Sequence, residues 1–171
     1  QSTEYALYIR SGCDGVWGEW GVGVPLRTSD RFPGFWRPGP NYAVNREHGR
    51  MATVTANGLY TTILGDACLE PNTVNNWTVR ILNTLGSDIY VGFAPSTINP
   101  SEKHNPSKAG WYLYCNSCRI YTGGNRSAYG PSEVLKAGDT VSVHVDTAKA
   151  EASFSVNGKR HGVAFTKIPL N

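Results

Sequence analysis

Helical periodicity is missing from this sequence. No segment repeats apolar residues at three- and four-residue spacing, and SEVLKAGD (132–139) offers one turn at most. Long apolar runs are missing too, so no membrane insertion is expected. There is no charged-then-apolar start of the kind that directs secretion. Because the chain opens at Gln1 rather than Met, it reads as a trimmed or processed piece, and that lack says nothing about its compartment. Dense Lys/Arg blocks are absent: 16 basic residues are scattered against 13 acidic ones, for a net charge of +3. Nucleic-acid binders concentrate such charge in a stripe, so no nucleic-acid partner is expected.

Cysteine is sparse, with Cys13, Cys68, Cys115 and Cys118. The last two form Cys-Asn-Ser-Cys, the spacing of zinc knuckles and redox centres. A structural zinc wants four ligands in two clustered pairs, and no second such pair exists. A thioredoxin-like site needs the pair at a helix start, where the thiolate is stabilised. Here the pair lies between two strand-like runs. The reading is therefore a hairpin bend with ordinary thiols, no metal, no cofactor and a cytoplasmic location.

Catalytic patterns are equally thin. There is no Gly-x-Ser-x-Gly elbow, no phosphate-cradling glycine loop and no evident pair of carboxylates. His144 and Asp146 share one strand face and could mimic part of a triad, but no activated nucleophile stands out. His48, His104 and His161 form no metal motif. The chain is expected not to be an enzyme.

What is present is turn chemistry and strand texture. Nineteen Gly and 10 Pro accompany 40% apolar and 11% aromatic residues. That composition suits one globular domain built of many short strands. TANGLYTTIL carries Asn57-Gly58 between Val/Thr-rich runs, a hairpin signal. WTVRIL (77–82) and DIYVGFA (88–94) flank a polar connection. GWYLYC (110–115) and RIYTGG (119–124) flank Asn116-Ser117-Cys118. DTVSVHVDTA (139–148) alternates Val141, Val143 and Val145 with polar residues, the period of a half-buried strand. EASFSVNGKRHGVAF (151–165) holds a second Asn-Gly turn at Asn157-Gly158. The sum is about nine or ten strands with the turn spacing of an all-β sandwich. Residues 1–40 read as an irregular extension of the same domain, with RFPGFWRPGPNY (31–42) an ordered loop.

From residue 40 the order of these pieces resembles a SPRY domain of the B30.2 family. The resemblance rests on TANGLYTTIL, NNWTVRI, DIYVGFA and GWYLYC, and most specifically on GDTVSVHVDTAKAEASFSVNGKRHGVAF. It implies a bent β-sandwich of two antiparallel sheets with concanavalin-like jelly-roll architecture. Trp77 and Trp111 would plug the core, and Asp146 would cap the turn after its strand. Family members usually continue past the GVAF strand, whereas this chain ends at Ile168-Pro169-Leu170-Asn171. A bare edge would invite pairing with a neighbour, and EYALYI (4–9) is a candidate to fill the gap.

The resemblance also implies a non-catalytic module that binds another protein through loops at one end of the sandwich. Carried over by position, the contact segments are Asn41, Tyr42, Asn45 and Arg46; Lys103, His104 and Asn105 in the loop 99–109; and Arg119, Tyr121, Asn125, Arg126 and Tyr129. The arginines would meet carboxylates or carbonyls, and the tyrosines would supply apolar contact. Two alternatives stay open. The domain could be a fixed part of a large assembly, or it could bind sugar through Trp17, Trp20 and Trp36.

Overall fold

The computed structural model describes residues 3–7, 12–13, 16–17, 24–28, 36–37, 42–45, 51–55, 62–65, 67–82, 89–99 and 110–170. Its strands in chain order are β1 (Thr3–Leu7), β2 (Gly12–Cys13), β3 (Val16–Trp17), β4 (Val24–Thr28), β5 (Tyr42–Val44), β6 (Ala52–Val54), β7 (Val74–Arg80), β8 (Tyr90–Phe93), β9 (Trp111–Tyr114), β10 (Arg119–Thr122), β11 (Asn125–Ala128), β12 (Thr140–Asp146), β13 (Glu151–Val156) and β14 (Lys159–Phe165). There is no helix among the described residues.

Two four-stranded antiparallel sheets carry the fold, ordered β14-β13-β12-β7 and β11-β10-β9-β8. The alternation along β12 explains the first. Val141, Val143 and Val145 are fully buried, and β13 adds Ala152, Phe154 and Val156 on the same side. The second sheet sends Val91, Leu113 and Ile120 into the same cluster, which joins both sheets in one sandwich core. Each such aliphatic side chain contributes about 1.5–3 kcal/mol by leaving water. Trp77 and Trp111 do act as plugs. Phe93 lies edge-on to Trp77 at 6.5 Å and stacks on Trp111 at 5.2 Å.

Local chemistry sets the turns. Asn157 (φ 49°) and Gly158 (φ 79°) take the left-handed conformation that joins β13 to β14. The Asp146 carboxylate accepts the amides of Ala148 and Lys149 at 3.1 and 3.0 Å, the cap expected after β12. Asp139 accepts the Lys136 amide at 2.7 Å and a proton from the Asn157 side chain at 3.0 Å, holding two turns together.

Two expectations are corrected, the place of EYAL and the irregularity of 1–40. EYAL is a strand, but β1 pairs with β4, Tyr5 opposite Leu26, and so does not fill the edge beside β14. β6 pairs with β5, and Gly65 bridges to Trp36 while the Arg37 amide donates to the Leu64 carbonyl at 2.8 Å. The Asn57-Gly58 turn itself lies outside the described residues. The stretch 1–40 is not wholly irregular, since β2 and β3 form a short hairpin. WTVRIL and DIYVGFA go to different sheets, with β7 beside β12 and β8 beside β9.

Candidate interaction surface

Strand alternation gives the β8–β11 sheet an outer face opposite to Val91, Leu113 and Ile120. Tyr90, Tyr112, Tyr114, Arg119 and Tyr121 occupy it, and the register sets Arg126 opposite Tyr121 and Ala128 opposite Arg119. The Tyr90 and Tyr114 rings stack at 4.6 Å with 19° between planes. Tyr121 stands edge-on to both, at 5.5 and 5.6 Å. Such offset and T-shaped contacts fix the rings against one another, so little side-chain freedom remains to be lost on binding. Tyr112 is sunk deeper, and burial pushes its phenol up to about 12.

Among the described residues of these strands, charge on this face has one sign. Arg119 and Arg126 are exposed, and neither makes an ion pair or hydrogen bond among the described residues. No carboxylate belongs to these strands' outer face. Asn125 opens β11 next to the Gly123-Gly124 turn.

The Cys-Asn-Ser-Cys bend joins β9 to β10, as its position in the sequence suggested, and its sulfurs turn away from this face. Cys115 and Cys118 are both buried in the core. Burial, with a smaller contribution from Cys118, pushes the Cys115 thiol up to about 12. The Cys118 thiol donates to the Glu133 carbonyl at 3.5 Å. The residue of this bend that reaches the outer face is Asn116, whose amide donates to the Tyr114 hydroxyl at 3.2 Å.

Tyr129, expected as a surface contact, is half-buried and ties the two sheets together. Its hydroxyl accepts the Phe154 amide at 2.9 Å and donates to the Gly162 carbonyl at 2.5 Å. Its ring lies edge-on to Phe154 and His161, each at 6.0 Å. Tyr42 and Asn45 sit half-buried on and just after β5, where the Asn45 amide donates to the Met51 carbonyl at 2.9 Å. Asn41, Arg46, Lys103, His104 and Asn105 lie outside the described residues. The structure thus gathers Arg119, Tyr121, Asn125 and Arg126 on one hairpin. Tyr90 and Tyr114 complete the aromatic cluster. They were missed, although Tyr90 and Tyr114 each stand next to a core position, Val91 and Leu113, and alternation turns such a neighbour to the opposite face.

The other sheet carries a polar row on the face that His144 and Asp146 share. His144 is half-buried; its Nδ1 lies 2.6 Å from the Asn76 side-chain oxygen and its Nε2 lies 3.0 Å from the Ser155 hydroxyl. Because the amide oxygen only accepts, Nδ1 carries the proton and Ser155 donates to Nε2. Arg160 donates to Ser153 at 3.1 Å, and both serines are buried. Burial first, and the Arg160 charge second, hold the His144 pKa below its ordinary value. No group of three or more His, Cys, Asp or Glu residues among the described residues is arranged to hold a metal.

Two antiparallel sheets over a shared core define an all-β sandwich, with an aromatic and cationic outer face on one sheet. The SPRY domain family model matches residues 75–171, more than half of the chain, and the chain belongs to the SPRY family. Domains of this family are generally protein-interaction modules without catalysis. Two solved structures are similar. One is the SPRY domain of human HERC1, with TM-score 0.48 and 20% identity over 60% of this chain and 64% of that one. The other is a human SPRY domain, with TM-score 0.47 and 14% identity over 75% of this chain and 79% of that one. The chain therefore spans just under two thirds of the HERC1 domain structure. No curated protein matches the sequence.

Proposed function

We propose that this chain captures another protein through the outer face of the β8–β11 sheet. The tyrosine cluster is the apolar floor, and Arg119 and Arg126 are the charged contacts. The observation that carries this reading is three mutually packed tyrosines beside two arginines that make no ion pair among the described residues. Tyr and Arg are enriched at interface hot spots because they bring large contact area and directed hydrogen bonds. The β5 region, with Tyr42 and Asn45, and the loop holding Lys103, His104 and Asn105 are further contact segments in this reading. Specific capture takes place without chemistry on the partner.

The test is affinity capture from the source cell with the wild-type chain and with Arg119→Glu/Arg126→Glu. The expected result is a partner enriched by the wild type and lost from the variant, at an unchanged melting temperature. Equal recovery by both chains overturns the assignment of this face.

A further inference from the structure

We propose that the segment captured is an extended acidic peptide that adds as a fifth strand against β11, an inference that rests on the interaction reading above. Among the described residues β11 is the end strand of its sheet, and all four of its residues are exposed. Gly123 (φ 55°) and Gly124 (φ 84°) make a two-residue hairpin turn from β10. In such a hairpin the closing pair, Thr122 and Asn125, exchanges hydrogen bonds, and pairs alternate from there. Ile120 and Ser127 bond next. The backbone N–H and C=O groups of Arg126 and Ala128 therefore point away from β10, toward the open side. They form the row of donors and acceptors that an incoming strand requires.

The other edges are less suited. β14 carries two register shifts against β13 and has Gly162 at φ 81°, so its outer row is irregular. The entry to β7 is occupied by reciprocal bonds between Asn75 and the Glu70 backbone, at 2.8 and 3.0 Å. β8, Tyr-Val-Gly-Phe, presents no charge.

Charge specifies the occupant. Arg126 stands on the edge strand itself. Arg119, one strand in, faces Ala128, whose methyl leaves the way to the edge open. A cation on an edge strand repels a basic newcomer and favours one with carboxylates. Alternate residues of an added strand share a face and lie about 6.8 Å apart, two rises of about 3.4 Å each. Acidic residues at alternate positions would thus meet Arg126 and Arg119 on the tyrosine side. Backbone bonds to β11 would supply sequence-independent affinity, and the arginines the selection.

A random dodecapeptide library displayed on phage and panned against the intact chain tests this. Enriched sequences are then synthesised and measured by fluorescence anisotropy. The inference expects Asp or Glu at alternating positions. Affinity should fall at least tenfold on Arg119→Glu/Arg126→Glu. A similar fall is expected for Ala128→Pro, which removes an outward donor at an edge position that tolerates proline. On the unaltered chain, N-methylating alternate amides of the peptide should abolish binding in one of the two phases, which keeps the test valid if the proline variant fails to fold. Peptides that bind but ignore all three changes, or a consensus without acidic residues, overturn strand addition while leaving a binding module in place. A library with no binder also overturns it, and the cell-extract capture then decides the broader reading separately.

Discussion

The Tyr129 hydroxyl receives the amide proton of Phe154 at 2.9 Å, so a residue just beyond β11 completes the backbone of the facing sheet. The same oxygen donates to Gly162. Tyr129→Phe keeps the ring and leaves the Phe154 amide unpaired in a part-buried place, while the exposed Gly162 carbonyl turns to water. Urea unfolding is expected to show a loss of about 1–3 kcal/mol. Binding through the β8–β11 face should survive, because the ring that remains still holds the chain in place.

Gly92 marks a close approach of two strands. A Cβ there would lie 1.9 Å from the Trp111 carbonyl oxygen and 2.9 Å from the Tyr112 Cα, both backbone atoms. Neither can swing aside as a side-chain tip could. Gly92→Ala is expected to cost about 3 kcal/mol, at the upper end for overpacking, read as a lowered melting temperature or loss of soluble protein. A stability equal to wild type would refute the packing of β8 on β9.

His144 gives a pH signature. Its folded pKa is depressed from 6.5 by burial, so the unfolded chain binds the proton more readily. The stability it contributes is fully present above about pH 6.5 and is lost as pH falls through the lower, folded value. Denaturation midpoints should decline across that window. His144→Gln should flatten the decline, and NMR should show the imidazole titrating below its ordinary range.

The thiols separate by burial. Cys68 is exposed and should react with an aromatic disulfide reagent at once. Cys115 and Cys118 are buried, and burial raises the pKa of each. Their modification should wait for unfolding and speed up in denaturant. Rapid labelling of Cys115 in the native chain would contradict its place in the core.

Much of the fold was legible because local signals and burial agreed. Val141, Val143 and Val145 alternate without interruption, and Asn157-Gly158 demands a tight hairpin. Asp146 had the right side chain for its cap. Where the sequence misled, long-range pairing decided. EYAL has strand propensity, but propensity names no partner, and β4 took it. For the candidate surface, Arg119, Tyr121 and Arg126 were readable from their hairpin. Tyr90 and Tyr114 required the register of three strands. Tyr129 is the instructive case: an aromatic residue in a polar loop reads as exposed, and only the fold reveals that its hydroxyl serves the backbone of another sheet.

The most direct measurement is hydrogen exchange of the chain with and without its captured partner or selected peptide. The account predicts slowed exchange over residues 111–128, strongest at the outward amides of Arg126 and Ala128, with β12, β13 and β14 unchanged. Protection confined to the loop 94–110, or to the β7–β14 sheet, would contradict it.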